Sequence, residues 1–198
     1  MNLPNQLTLA RVIMAPIFIL LMSLNHLAAF ILAYVVFVAA TITDYYDGKI
    51  AQERNLVTNF GKLWDPVADK VLITAAFVML MKLPDLHIPG WTVVVIIARE
   101  FLITSARSHA ASDGVVIAAN RWGKTKAVIQ MVYVFTFLFF VIAYRTLNLF
   151  WDGGAEGYGA YLRRASEWAI VFVALYTVYS GVQFARLNWQ VLKPGSLA

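Results

Sequence analysis

Six apolar runs without a charged side chain constrain this sequence more than any other feature. Two of them, 71–81 and 88–98, have only 11 residues each, about half of the roughly 20 that a transmembrane helix needs. Helices built on these two runs can cross a bilayer only if they continue through the charged residues beside them. The sequence therefore predicts an all-α, polytopic membrane bundle of six transmembrane helices. The runs cover residues 12–25, 27–43, 71–81, 88–98, 127–144 and 168–185.

Composition supports a membrane protein. The chain has 198 residues, of which 61% are hydrophobic and 14% charged, and its mean hydropathy is +0.69. These values are too apolar for an ordinary soluble domain. We expect one integral-membrane domain over residues 1–198, with residues 1–8 as a short N-terminal amphipathic segment before the first span.

The distribution of lysine and arginine predicts the orientation. With a cytosolic N-terminus, twelve of the 16 basic residues fall at cytosolic helix ends and loops. The other four, Lys82, Arg145, Arg163 and Arg164, fall outside. Cytosolic segments carry the excess of basic residues in membrane proteins, so we expect a cell (cytoplasmic) membrane protein in this orientation. The same bias and the attraction to anionic membrane lipid explain the net charge of +5, and we expect no nucleic-acid partner.

Four aspartates fall at the predicted cytosolic ends of the second and third helices. Asp44 and Asp47 lie one turn apart, as do Asp65 and Asp69, so each pair shares a helix face. A carboxylate at membrane depth is costly unless it is paired, hydrated or bound to a cation. Carboxylate oxygens suit hard divalent cations, and the chain has no cysteine for a softer metal. We predict a metal site; an ion-pair network with nearby lysines is the alternative.

The segment between Asp44 and Asp69 resembles the signature of the CDP-alcohol phosphotransferase family. It reads Asp-x2-Asp-Gly-x2-Ala-x9-Gly-x3-Asp-x3-Asp, in which every fixed residue has the family spacing. Gln52 departs from the family, which usually has an arginine after the alanine. A wider match covers most of residues 2–130 and resembles the branch that makes phosphatidylglycerophosphate. It includes Leu3-Pro4-Asn5, Asp65-Pro66-Val67-Ala68-Asp69-Lys70, Ile97-Ala98-Arg99-Glu100, Arg107, Gly123-Lys124-Thr125-Lys126 and Gln130.

The resemblance implies a reaction. CDP-diacylglycerol would give its phosphatidyl group to sn-glycerol 3-phosphate, and CMP would leave. The family pattern implies two Mg²⁺ or Mn²⁺ ions, no organic cofactor, and a homodimer. It assigns the metal to Asp44, Asp47, Asp65 and Asp69, and it also assigns to Asp69 the proton of the attacking hydroxyl. Substrate contacts are implied at Asn5, Thr8, Asp44, Gly48, Gln52, Thr58 and Gly61; for Asn5 and Thr8, helix capping is the alternative.

Basic residues at the cytosolic ends of the last three helices are candidates to hold a phosphate on the acceptor. They are Arg107, Lys124, Lys126 and Arg186. Ordinary positive-inside flanking is the alternative for each. Arg99 and Glu100 are adjacent in the fourth helix, and we expect them to form a structural ion pair.

Other functions fit the sequence less well. The same chemistry could use inositol phosphate, serine or another alcohol as the acceptor. A divalent-cation transporter could line its path with aspartates, but the outer halves of these helices are almost wholly apolar. Aspartate-rich prenyltransferases typically require adjacent aspartates, and this chain has no such pair.

Overall fold

The computed structural model describes the backbone of residues 3–53, 59–118, 120–151 and 156–192. It describes side-chain surroundings for residues 6–44, 67–68, 70–118, 120–151 and 157–191. These parts of the chain contain helices and no strand, which confirms the all-α class. The helices are α1 (Leu3–Ser23), α2 (Leu27–Glu53), α3 (Asn59–Met81), α4 (Gly90–Ser112), α5 (Arg121–Phe150), α6 (Glu156–Leu187) and the short α7 (Trp189–Leu192).

Among the described residues, four helices are long and apolar enough to cross a membrane, as expected of a helical membrane protein. They are α1, α2, α5 and α6. In α3, the described residues supply a shorter apolar stretch, Lys70–Met81. Both α3 and α4 have 23 residues and continue through charged positions, as the sequence predicted. The count of six spanning helices stays a prediction.

The N-terminal segment differs from its prediction. Residues 3–8 are the first turns of α1 and not a separate amphipathic segment, because α1 runs without a break from Leu3 to Ser23. Pro4 is compatible with this continuity, since the N–H that proline lacks has no intrahelical partner in a first turn. Asn5 and Thr8 therefore lie inside α1, and the suggestion that they cap this helix is wrong.

The connection before α6 is also shorter than the sequence suggested. Residues 148–164 are rich in glycine and aromatic residues, a composition typical of an interfacial loop, but α5 continues to Phe150 and α6 begins at Glu156. Gly159 serves helix packing instead of a turn: a Cβ at this position would lie 2.7 Å from Tyr144 Oη. The glycine thus permits α5 and α6 to approach closely.

Contacts between pairs of helices determine which helix ends lie together. Helix α1 packs against α2 and α3, α5 contacts α2, α3 and α6, and α4 packs against α6. Aromatic side chains join these helices in the core, with the rings of Phe37 (α2) and Phe135 (α5) 5.0 Å apart and those of Phe77 (α3) and Tyr133 (α5) 5.8 Å apart. The start of α1 thereby lies beside the end of α2, where the contact between Arg11 and Asp44 is made.

One end of the bundle is tied by Arg145 of α5. Its guanidinium donates to Asp85 Oδ2 from Nε (2.9 Å) and Nη2 (2.5 Å), and to Asn25 Oδ1 from Nη1 (2.8 Å). It also lies over the ring of Phe30, 4.4 Å from the centroid. This Arg145 clamp (Asn25, Asp85 and Arg145) fastens the α1–α2 and α3–α4 turns to α5.

Candidate functional site

The opposite end of the bundle carries an ion pair between α1 and α2. Arg11 Nη1 donates a hydrogen bond to Asp44 Oδ1. Arg11 is 1% exposed, whereas the side chain of Asp44 is 38% exposed. A buried guanidinium requires a counter-charge, and Asp44 provides one.

A small cavity lies beside this ion pair. Its volume is about 20 Å³, which is room for about one water molecule. Helices α1, α2, α3 and α5 all line it, so Asp44 of α2 faces the same space as two residues of α3. The lining residues are Arg11, Phe37, Ala40, Thr41, Asp44, Leu72, Ile73 and Met131.

Most of the predicted metal and nucleotide positions lie outside the described side chains. The backbone of α2 includes positions 47, 48 and 52, and that of α3 includes positions 61, 65 and 69. In the part of the chain whose side chains are described, no three acidic or histidine residues could jointly hold a metal ion. Asp44 is the one predicted ligand to which this statement applies. Outside the described side chains are Asn5, Asp47, Gly48, Gln52, Gly61, Asp65 and Asp69, and Thr58 lies outside the described backbone as well.

The surroundings of Asp44 are compatible with a divalent ion. Its carboxylate is partly exposed, and each of the two oxygens of a carboxylate can accept more than one bond. Oxygen donors are the ligands that Mg²⁺ and Mn²⁺ prefer. The donor chemistry at this position therefore fits the expected metal.

Thr8 belongs to the same region. It is 1% exposed and lies on α1 three residues before Arg11, so the two share a helix face. This burial places Thr8 within the bundle, beside the end of α1 that approaches Asp44.

A second polar group joins α4, α5 and α6. Lys126 Nζ donates to Glu100 Oε1 at 2.5 Å, and Arg99 Nη1 lies 3.4 Å from the same oxygen. Arg99 Nη2 also donates to Ser180 Oγ at 3.0 Å. The predicted pairing of Arg99 with Glu100 is confirmed. The sequence did not indicate that Glu100 also holds Lys126, which is 6% exposed.

The other basic candidates lie on the same three helices as this Glu100 cluster (Arg99, Glu100, Lys126 and Ser180). The guanidinium of Arg107 lies over the ring of Phe184, 5.3 Å from its centroid, and its buried Nε has no hydrogen-bond partner among the described residues. Lys124 and Arg186 are exposed. The contact between α4 and α6 thus brings Arg107 near the end of α6 that carries Arg186.

Arg11 is the residue of this site that the sequence reasoning missed. The sequence places it only among the twelve basic residues at cytosolic helix ends and loops, yet it is among the largest fully buried side chains of the described residues. A usable signal was present: the cost of a charge at membrane depth applies to a lone arginine as much as to an aspartate. The same cost predicts an acidic partner for Arg11.

Comparison with known proteins identifies close relatives over the whole chain. The sequence model of the CDP-alcohol phosphatidyltransferase family matches residues 1–179. A protein of Bacillus subtilis (strain 168) is 38% identical over 209 residues, covering 97% of each chain. A protein of Rickettsia typhi is 38% identical over 184 residues, covering 90% of this chain and 94% of its own length. Both carry the name CDP-diacylglycerol–glycerol-3-phosphate 3-phosphatidyltransferase.

A more distant relative carries the same name. The protein of Mycoplasma pneumoniae is 31% identical over 216 residues, covering 97% of this chain and 88% of its own length. Similarity over nearly the full length of each relative includes both polar groups described above. The helices that carry Arg11, Asp44, Glu100 and Lys126 are therefore all within the matched region.

Proposed function

This chain belongs to the CDP-alcohol phosphatidyltransferase family, and from that membership we propose that it transfers the phosphatidyl group of CDP-diacylglycerol to sn-glycerol 3-phosphate. The products are phosphatidylglycerophosphate and CMP. The observation that carries the choice of acceptor is the name shared by three full-length relatives, which are 31% to 38% identical to this chain. Membership in this family also removes the divalent-cation transporter as an alternative.

We place the reaction at the end of the bundle where Arg11 meets Asp44. The cavity shared by α1, α2, α3 and α5 supports this position, because Leu72 and Ile73 line it from α3. Positions 65 and 69 precede these residues by three to eight positions on the same helix, so the helical repeat predicts that they continue the same face. Asp47 follows Asp44 by one turn on α2. We therefore expect the four aspartates to converge.

The expected cofactor is a pair of Mg²⁺ or Mn²⁺ ions. Asp44, Asp47, Asp65 and Asp69 would hold them, and bound ions would supply charge stabilisation for the diphosphate and for the departing CMP. The side chains of the protein would bind and orient the two substrates and accept the proton.

The proton step is assigned to Asp69. Its carboxylate would accept the proton of the primary hydroxyl of glycerol 3-phosphate, and the resulting oxygen would form a bond to the phosphorus next to diacylglycerol. The bond between that phosphorus and the oxygen it shares with the CMP phosphate would break, and its electron pair would leave with CMP. Holding both substrates in line supplies a further share of the rate acceleration.

Basic residues at the ends of α4, α5 and α6 are proposed to hold the phosphate of glycerol 3-phosphate. Arg107 supports this role most directly, because a buried Nε without a partner among the described residues can donate to a ligand. Lys126 donates to Glu100 here, so its participation would require the acceptor phosphate to share or replace that contact. Lys124 and Arg186 are exposed and can reach a charged substrate.

The CDP moiety is proposed to contact the start of α1 and the α2–α3 region. The residues concerned are Asn5, Thr8, Asp44, Gly48, Gln52, Thr58 and Gly61. Two of these, Thr8 and Asp44, lie among the described side chains and belong to the Arg11 end of the bundle. Their position supports binding of the nucleotide and the metal at the same end.

We further propose that α3 and α4 also span the bilayer, which gives six transmembrane helices. Each has 23 residues and rises about 34 Å, enough for a hydrocarbon core of about 30 Å. The end that carries Arg11 would face the cytosol, because most basic residues lie there. A homodimer is the remaining expectation from the family.

Acceptor choice is the direct test of this function. The purified chain would be given CDP-diacylglycerol and Mg²⁺ with glycerol 3-phosphate, inositol phosphate or serine in separate reactions, and the lipid product identified by mass. We expect phosphatidylglycerophosphate and an equal amount of CMP with glycerol 3-phosphate alone. Efficient product formation with a different acceptor, and none with glycerol 3-phosphate, would contradict the proposal.

A further inference from the structure

Arg11 occupies an unusual position for a chain that is expected to bind divalent cations. Its guanidinium, 1% exposed, donates to Asp44, which is one of the four carboxylates assigned to the metal. An arginine side chain keeps its positive charge in proteins. A cation supplied by the chain itself therefore already lies against a proposed metal ligand.

The charges of Arg11 and of a divalent ion at Asp44 must influence each other. Both are attracted to the same carboxylate, and they repel one another across a short distance in a partly buried environment. Two cations that compete for one anion are coupled, and the coupling acts equally in both directions. The stability that the metal-free protein gains from the attraction between Arg11 and Asp44 is therefore partly lost when an ion binds.

We propose that Arg11 is a built-in counter-cation of Asp44, which neutralises this carboxylate in the metal-free enzyme and weakens the binding of the divalent ion. The inference rests on the proposed function, because it requires that Asp44 is a metal ligand. Arg11 acts through Asp44 and is a positioning residue without direct contact with substrate. Its consequence is a bundle that keeps its packing when the ions are absent.

The Arg145 clamp shows why this pair differs from an ordinary structural one. Arg145 makes three hydrogen bonds to Asp85 and Asn25 and lies over Phe30, and its partners are not expected to bind a metal. Removal of Arg145 should therefore weaken the fold to the same extent with and without Mg²⁺. Removal of Arg11 should weaken the metal-free protein much more than the metal-bound one.

The direction of the effect separates this inference from a simpler role for Arg11. A residue that merely orients a metal ligand supports metal binding, and its removal typically weakens affinity 10-fold to 100-fold, as a rough range. A competing cation has the opposite effect. We expect removal of the charge at position 11 to tighten Mg²⁺ binding by about tenfold, within the usual range for coupled binding events.

The test is a Mg²⁺ titration of the thermal unfolding midpoint, without substrates, on the full chain in detergent at constant ionic strength. Arg11→Met removes the charge and the donor, Arg11→Gln removes only the charge, and Arg11→Lys keeps the charge. Arg145→Met is the matched control at the other end of the bundle. We expect Met and Gln at position 11 to lower the midpoint without Mg²⁺ and to show a larger rise with Mg²⁺ than the wild type.

The controls make each outcome decisive. Arg11→Lys and Arg145→Met should show the same Mg²⁺-induced rise as the wild type. Should Arg11→Met fail to fold, the comparison of Arg11→Gln with Arg11→Lys carries the same test. An equal or smaller rise in the uncharged variants would overturn the inference and leave the proposed function standing. No rise in the wild type at any Mg²⁺ concentration would overturn the metal site itself, and this inference with it.

Discussion

The two ends of the bundle use buried charge in different ways. At one end, the guanidinium of Arg145 makes three hydrogen bonds to Asp85 and Asn25 and lies over the ring of Phe30. At the other end, Asp44 has a partly exposed carboxylate beside a cavity, and Arg107 has a buried Nε without a partner among the described residues. Charges whose partners belong to the helix turns hold the fold together, whereas a partly exposed carboxylate or a buried donor without a described partner can receive a ligand.

Matched carboxylate substitutions should give the largest contrast between the two ends. Asp69→Asn removes the proposed base, and we expect transfer to fall by at least about 100-fold, since positioned acid–base groups typically contribute that much or more. Asp85→Asn makes the same chemical change in the Arg145 clamp. The rate of CMP release per folded molecule should remain within about twofold of wild type in that control, because Asp85 lies at the end of the bundle opposite to the proposed reaction site.

Equal turnover for Asp69→Asn and the wild type would remove the proposed base. A comparable loss in Asp85→Asn, at unchanged folded fraction, would show that the two ends are not separate in function.

Substitution of Arg145 should have the reverse effect, lowering the stability of the fold and leaving turnover unchanged. Arg145→Met leaves the partly buried Asp85 without its partner, and we expect a loss of up to about 3 kcal/mol in the free energy of unfolding. Denaturant unfolding in detergent measures it. Turnover of the remaining folded enzyme should be unchanged, so a selective fall in turnover would contradict a purely structural clamp.

The sequence correctly predicted that α3 and α4 extend beyond their apolar runs. Helices that cross a bilayer need about 20 residues, so α3 and α4 had to continue through Lys70 and through Arg99 with Glu100, as they do. The start of α6 was missed because its glycines resembled a loop, although Gly159 serves close packing against Tyr144. Local composition does not distinguish these two uses of glycine.

The other features that the sequence did not predict are contacts between residues far apart in the sequence. The pairing of Arg99 with Glu100 was predictable because the residues are adjacent, whereas Lys126 reaches Glu100 from another helix, 26 residues away. Arg11 and Asp44 are 33 residues apart. Their contact depends on how α1 packs against α2, which no local pattern contains. The four aspartates were recognised because their spacing itself carries the family pattern.

A smaller effect is expected at the proposed acceptor site. Arg107→Met should raise the KM for glycerol 3-phosphate by roughly tenfold, the value of one hydrogen bond to a charged group, with a lesser change in kcat. Arg121→Met is the control, since Arg121 lies at the same end of the bundle but stacks on Trp122, 5.0 Å from the ring centroid. Its steady-state constants should remain within about twofold of wild type.

A rise in the KM for CDP-diacylglycerol instead, or an equal effect of both arginine substitutions, would contradict the assignment of Arg107 to the acceptor.

The smallest effect concerns the departure from the family pattern. Gln52→Arg restores the arginine that relatives of this family usually have after Ala51. We expect the KM for CDP-diacylglycerol to fall by up to about fivefold, which corresponds to one exposed ion pair with a phosphate. The effect should shrink at high salt. An increase in KM would indicate that the site has been adapted to a neutral residue at this position.

The proposed reaction requires that carboxylates from α2 and α3 meet around shared metal ions at the Arg11 end of the bundle. Anomalous diffraction from crystals grown with Mn²⁺ and CDP-diacylglycerol tests it directly. We predict two peaks about 3.5–4 Å apart, bound by oxygens of Asp44 and Asp47 from α2 and of Asp65 and Asp69 from α3. Peaks bound by one helix alone, or aspartates of α2 and α3 too far apart to share an ion, would contradict it.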